Sequence, residues 1–566
     1  MAVRYFPTHR LRDLRELVDR AAEEFGDRPA FRDLDQTDTV HTYTYTQLHD
    51  DVAALGAALI GRGLAGRHVA LVGESAYSYV VCYLAVVNAG GVVVPLDKEL
   101  TVGELVHLVD KSDAEVLMFG AAVAGDIPAI VGQCPHVLAT VAMSLYDDAD
   151  TPASALTLAG LIQTGRDLIA RGDTRYAALT ADPEAVCAIL FTSGTTGANK
   201  GVMLCQRNIT AVIEGAFAMH RLPGTSISVL PINHSYEFNL HVLGALYSGI
   251  TLCFNDSVMH VHDNLVRFSP EMTLMVPMIV EALYKNIWRE AKKNHLDRHL
   301  RYAVTLSNLL RKVGIDLRRV YFKPVIDSLG GRLELIVCGG APLRPEIVKG
   351  MGDLGIEVYN GYGITECSPL ISSNCVLSSV PGSVGVLMPG VEVRIDAPDA
   401  EGNGEICVRG DNVMLGYYND PDATAATFSP DGWFRTGDLG HLGRRDALFI
   451  TGRQKNLIIL PNGKNVQPEE LEEHLLASID YLKEVVVHVA KDPGGVEAIM
   501  ATAFLDTAFV HGIGCQEAAA RFHSDVARLN RHLAGYKQIH HTQLRDCEFS
   551  KTSTKKIKRY ETQGAS

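Results

Sequence analysis

Short apolar runs bounded by glycine or polar turns, separated by longer stretches with helical spacing, constrain this chain more than any other feature of its sequence. His68 to Gly73 (HVALVG), Val92 to Leu96 (VVVPL) and Glu115 to Gly120 (EVLMFG) read as compact strands. Thr42 to Thr46 (TYTYT) alternates as a strand does, and Gln47 to Leu64 follows with the apolar spacing of a helix. Strand and helix signals in alternation predict an α/β fold with wound layers and parallel strands. Beyond about residue 380 the texture changes to short β segments with glycine turns, VGVLMPGVEVRI and GNGEICVRG, which predict a small β-barrel-like subdomain. Past Gly452 the pattern restarts with NLIIL, a PNGKN turn and a helix opened by Pro468 and acidic residues. The expected division is a large N-terminal domain, residues 1–452, and a small α+β C-terminal domain, residues 453–566.

Composition narrows the function classes. A chain of 566 residues can bury several packed units, and 47% hydrophobic with 21% charged residues is a globular balance. The eleven cysteines are scattered with no C-x-x-C pair, which fits a reducing compartment and argues against a zinc site or disulfide framework. The opening MAVRYFPTHRLRDLRELVDRAAEEFG reads as a short arm and a charged amphipathic helix without the apolar core of a secretory signal, so a cytoplasmic location is expected. Val80 to Val94 is interrupted by Asn88, Gly90 and Gly91, short of the roughly 20 apolar residues of a membrane span. A net charge of −14 argues against nucleic acid as a partner. Yet Lys285 to Lys323 holds eleven Lys or Arg against three acids, a surplus of +8 that leaves −22 on the remainder. Solvated helix faces account for such a run; a peripheral docking surface for anionic lipid or CoA phosphates is the sharper reading.

The most informative stretch is AILFTSGTTGANKGVMLC, residues 188 to 205, an apolar strand running into a loop of small hydroxyl and glycine residues. Backbone N–H groups and hydroxyls of Thr192, Ser193, Gly194, Thr195, Thr196 and Gly197 can approach phosphate oxygens without side-chain obstruction, and Lys200 adds a point charge. The glycine and lysine spacing does not fit the Walker A pattern, so a P-loop NTPase is disfavoured.

The whole string resembles the signature loop of the acyl-adenylate-forming superfamily, which includes acyl-CoA synthetases, luciferases and peptide-synthetase adenylation domains. LPINHSY (230–236), CGGAPL (338–343), YNGYGITE (359–366), GWFRTGDLG (432–440), GRQKNLI (452–458) and KTSTKKIKR (551–559) match further motifs of that family in order, across essentially the whole chain. The resemblance implies a ligase using ATP, Mg²⁺ and CoA. It implies that residues 192–200 hold the β and γ phosphates, with Thr195 and Glu366 as the magnesium ligands, hard oxygen donors of the kind that ion prefers. Gly339, Gly340 and Ala341, with the backbone near Asn360 and Gly361, resemble the adenine shelf, with Tyr362 stacking on the other face of the ring, and Gly363 and Thr365 belong to the same implied cofactor site. Asp438 resembles the ribose-binding acid and Arg453 its companion. Lys556 corresponds to the catalytic lysine bridging carboxylate and α-phosphate, although Lys555 stands where most relatives have glycine. Lys455 matches the hinge about which such enzymes swing a mobile C-terminal domain, and Asn462-Gly463-Lys464 the turn near the pantetheine arm.

His234 corresponds to the gate beside the carboxylate. MVPMIVEALYKNI, the basic insert, KNVQPEELE and STKKIKR look most like the long-chain acyl-CoA synthetase branch, which implies a fatty acid and CoA as small-molecule substrates. Ligation to an acyl carrier protein and stand-alone adenylation of another carboxylic acid are the alternatives. A non-catalytic nucleotide-binding relative is disfavoured by the retained Lys200, Glu366, Asp438, Arg453 and Lys556.

Overall fold

The computed structural model describes residues 6–145, 152, 155–193, 199–376, 378–460, 465–491, 497–551 and 557–559. The chain forms two compact units. The larger comprises residues up to Ser193, Asn199–Glu392 and Val408–Phe434, and the smaller comprises Val393–Cys407 and the chain from Arg435 onward.

The strand readings of the first third are where the wound layer is built. His68–Val72, Val92–Leu96 and Val116–Phe119 pair in parallel at the centre of an eight-stranded sheet. Their apolar runs are continuous because both faces are covered: Val69, Ala70, Val93, Val94, Leu117 and Phe119 are all buried. At one side of this sheet Val186–Ser193 turns back antiparallel into Asn199–Cys205, and Gly416–Tyr417 adds the edge. A second, nine-stranded sheet runs in the order Val386–Leu387, Leu370–Ser373, Glu357–Gly363, Leu335–Cys338, Met272–Met275, Thr225–Ser228, Thr251–Phe254, Pro29–Leu34 and Val40–Thr44. Its interior pairs are parallel, and its outer pairs antiparallel.

The TYTYT strand stops two residues short of its alternation. The helix starts at Tyr45, because the Thr44 hydroxyl accepts the Gln47 N–H and so caps it. The N-terminal amphipathic helix is Leu14–Phe25, capped by Asp13, with Leu14, Leu17, Val18 and Ala21 buried. The glycine-punctuated segment after residue 380 forms, mainly within the smaller unit, a four-stranded sheet in the order Val391–Asp396, Gly404–Gly410, Phe434–Leu442 and Leu448–Arg453. Its first and last strands do not pair, so the barrel-like expectation resolves as an open sheet. Farther on, helices Pro468–Ser478 and Cys515–Asn530 cover a sheet of Leu482–Lys491, Glu497–Leu505 and His541–Leu544 over a core that includes Val466, Leu471, Leu475 and Phe522. No helix among the described residues is long and apolar enough to cross a membrane.

Candidate active site

In the larger unit the hairpin of Val186–Ser193 with Asn199–Cys205 sets Thr192 opposite Lys200 and Ser193 opposite Asn199. Lys111 Nζ donates to the Asn199 carbonyl at 2.6 Å, pinning the start of the return strand. Gly194, Thr195, Thr196 and Gly197 lie outside the described residues. Lys200 Nζ sits 4.5 Å over the ring of Tyr417, whose hydroxyl donates to Glu366 Oε1 at 3.0 Å. Tyr417 is held there by its ladder pairing with Val202 and is buried; burial first, and the Glu366 carboxylate second, raise its hydroxyl pKa, so it remains a neutral donor. One aromatic side chain thus joins a predicted phosphate cation to a predicted metal carboxylate. A cation over an aromatic face contributes about 0.5–2 kcal/mol, enough to orient Lys200 yet weak enough for a phosphate to displace.

The second group forms where two neighbouring parallel strands end. Leu335–Cys338 leads into Gly339, Gly340 and Ala341; Glu357–Gly363 carries Asn360, Gly361, Tyr362 and Gly363; and Cys338 pairs with Asn360. Ligands of open α/β sheets bind at such strand ends. Gly340 has φ +86°, a left-handed conformation that favours glycine. Asn360 Oδ1 is buried without a hydrogen-bond partner among the described residues, an acceptor that a ligand N–H would satisfy. Thr365 and Glu366 follow in the turn Thr365–Cys367, and the Glu366 carbonyl accepts from Met414 N–H at 2.8 Å.

Two glycines of this strand separate fold from ligand. A side-chain carbon on Gly363 would lie 1.8 Å from the Pro369 carbonyl oxygen, whereas on Gly361 its nearest protein neighbours are 3.6 Å away. Gly363→Ala is therefore expected to fail in folding. Gly361→Ala should melt like the unmodified chain but bind ATP about tenfold or more weakly, overpacking being worth about 1–3 kcal/mol. Calorimetric titration checks this; unchanged affinity in Gly361→Ala would remove the nucleotide from that backbone.

His234 stands at the N-cap position of the short helix Ser235–Glu237, and a π-helical turn, Phe238–Val242, follows. Behind it lies a buried relay that the motifs did not reveal. His241 Nδ1 is 2.8 Å from Glu237 Oε1, and His241 Nε2 is 2.5 Å from Ser226 Oγ. The only sequence signal was the acid and histidine four residues apart. Beside Tyr359, His220 Nε2 approaches Ser373 Oγ at 3.1 Å, and burial pushes the His220 pKa down to about 4. Its folded value lies below the unfolded one, so its stability contribution is present at neutral pH and is lost as pH falls from about 6.5 toward 4. Urea midpoints measured at neutral and mildly acid pH should fall more for the unmodified chain than for His220→Phe, and equal falls would refute this.

In the smaller unit, Asp438 and Arg453 pair across strands Phe434–Leu442 and Leu448–Arg453, with Arg453 Nε 2.9 Å from Asp438 Oδ1. Asp438 is 4% exposed at its side chain and Arg453 46%, so the acid is fixed and the guanidinium faces solvent. Gly437, at φ +70°, precedes Asp438 within the strand, and Thr436 Oγ1 accepts the Asp438 N–H at 3.0 Å. Lys455 follows in the turn Gln454–Asn456. Lys556 lies outside the described residues, as do Asn462, Gly463 and Lys464. The flanks of the lysine are tied down: Lys551 bridges Ile557, and the Arg559 guanidinium contacts both oxygens of buried Glu472, at 2.8 Å to Oε1.

The sequence pattern of the AMP-binding enzyme family matches residues 18–418. The chain belongs to that family. The enzyme is 30% identical over 481 residues to a long-chain-fatty-acid–CoA ligase of Mycobacterium bovis, covering 79% of this chain and 75% of the relative. It is 26% identical over 556 residues to a chloroplastic long-chain-fatty-acid–[acyl-carrier-protein] ligase of Arabidopsis thaliana, covering 85% and 75%. In fold it is similar to an anthranilate CoA ligase solved with anthranoyl-AMP, with a TM-score of 0.76 at 19% identity over 100% of this chain and 98% of that one. It is an adenylate-forming ligase of the acyl-CoA ligase type, related to the long-chain branch.

Proposed function

We propose that the enzyme activates a fatty acid with ATP and transfers the acyl group to CoA. A carboxylate oxygen attacks the α-phosphorus as the bond to the β-phosphate breaks and pyrophosphate leaves. The thiol sulfur then attacks the acyl carbon, the acyl–oxygen bond breaks, AMP departs with the electron pair, and the thiol proton passes to solvent. The first step brings two anions together, a repulsion of roughly 4 kcal/mol for unit charges 4 Å apart at an effective dielectric of 20. The observation that carries this reading is the linkage of Lys200, Tyr417 and Glu366, which assembles a cation and a hard carboxylate beside the loop hairpin. In the proposal Lys200 with residues 192–197 binds the outer phosphates, Asn360, Gly361 and Tyr362 with Gly339 to Ala341 bind adenine, Asp438 binds the ribose, and His234 lines the carboxylate's approach. Glu366 uses one oxygen for the Tyr417 hydroxyl, and its charge suits a magnesium site shared with Thr195. That ion would neutralise phosphate charge when bound.

The functional boundary proposed is 452/453, with Lys455 as the hinge. Lys455→Pro should slow thioester formation by about tenfold or more relative to adenylation, because a hinge must absorb large dihedral changes. Single-turnover kinetics of the two half-reactions would check this, and equal rates would refute it. We place the reaction in the cytoplasm, where ATP and CoA are available and where the free cysteines, nine buried and two exposed, would stay reduced. The relationship to the Arabidopsis ligase supports a second acceptor, acyl carrier protein. Exchange of labelled pyrophosphate into ATP with a panel of carboxylic acids tests the activation step. No exchange with any fatty acid would overturn the reading, and adding CoA or carrier protein then separates the acceptors.

A further inference from the structure

The basic segment folds into helices Pro277–Lys293, Asp297–Arg311, Arg318–Tyr321 and Lys323–Asp327. The helix Asp297–Arg311 buries only Ser307. A helix of this length is marginal in water without a packed face; Leu300, Val304, Leu306 and Leu310 are half-buried, while Tyr302 and Leu309 are exposed. Of the eighteen large hydrophobic side chains exposed among the described residues, seven lie between Leu296 and Tyr321, so they form a cluster rather than scatter. Tyr302 and Leu309, exposed at 71% and 61%, follow the spacing i, i+7 that places both on one side of the helix, and Val313, exposed at 71%, stands in the turn just past its end. Around them Arg289, Lys292, Arg298 and Lys312 are exposed and have no ion-pair partner among the described residues, and Arg301 lies 5.2 Å over the Trp288 ring.

We propose that this helical insert docks the enzyme on an anionic phospholipid bilayer. Tyr302, Leu309 and Val313 enter the headgroup layer while the unpaired cations meet lipid phosphates. Charge complementarity selects the occupant. Protein interfaces deplete lysine and keep charge out of their apolar centres, whereas apolar side chains interleaved with cations suit a lipid interface. The −22 on the rest of the chain repels the same bilayer, which favours approach by this face. The docking is independent of which acid is activated, because vesicle binding is read without turnover.

Co-flotation of the full chain with phosphatidylcholine/phosphatidylglycerol vesicles and with pure phosphatidylcholine vesicles tests the proposal. The chain should float with the anionic vesicles and be released by high salt. Two triple variants, Tyr302→Ser/Leu309→Ser/Val313→Ser and Arg298→Glu/Arg301→Glu/Lys312→Glu, should each lose about tenfold or more in binding, since each cation near an anionic surface contributes about a factor of five. Their melting and pyrophosphate exchange should be unchanged. Failure of the unmodified chain to float, equal binding to neutral vesicles, or unmodified binding by either variant would overturn the proposal.

Discussion

Lys556→Ala should lower acyl-AMP formation by about 10²–10³-fold, the loss typical when one preorganised donor to a developing charge is removed. The same variant should convert supplied acyl-AMP and CoA to thioester at close to the unmodified rate. The reason for the split is electrostatic. Only the first half-reaction brings a carboxylate onto phosphorus and needs a cation between them, whereas in the second the acyl bond is already activated. The surrounding fold should tolerate the change, because the chain on either side is anchored independently of Lys556. Lys551 Nζ donates to Glu548 at 2.6 Å and also meets Glu484, and Arg559 holds Glu472. Rapid-quench measurement of each half-reaction decides the matter; equal losses in both would remove Lys556 from its assigned role, and Lys555→Ala serves as the neighbouring control.

The second large effect is expected at Glu366. Glu366→Gln keeps a carbonyl oxygen to accept the Tyr417 hydroxyl, so the local hydrogen bond at 3.0 Å survives and stability should move by no more than about 1 kcal/mol. What disappears is the negative charge, and with it the hard ligand proposed for magnesium. Pyrophosphate exchange should fall by about 10²-fold or more, several kcal/mol of charge stabilisation being at stake, and the loss should be partly recovered at raised magnesium. A variant that melts normally and exchanges at the unmodified rate at low magnesium would show that Glu366 serves only Tyr417.

How far the sequence could be read depended on whether the cause was local. VVVPL and HVALV were visible as strands because buried parallel strands need unbroken apolar runs, and both form where the runs lie. Pro468 announced its helix for an equally local reason, a fixed φ and no N–H to satisfy. By contrast, the end of TYTYT depended on whether the Thr44 hydroxyl would cap, and whether the later strands closed depended on the pairing of strands far apart in sequence. Tyr417 is the instructive miss in the site. It follows a glycine in an unremarkable GYY sequence, and its importance arises only when Gly416–Tyr417 pairs with Asn199–Cys205 and brings the ring under Lys200. The charge surplus of the insert could be counted residue by residue, but the outward stripe of Tyr302 and Leu309 could not, because the pattern does not say which face the rest of the protein leaves uncovered.

The aromatic ring beneath Lys200 gives its ammonium a berth when no phosphate is present. If Lys200 holds the outer phosphates as proposed, departing pyrophosphate would not strand a bare positive charge; the lysine would change partners instead of losing one. Phosphate binding would then be less tight than a wholly unsatisfied cation would make it, and the proposed cycle would be spared a product trap at its midpoint.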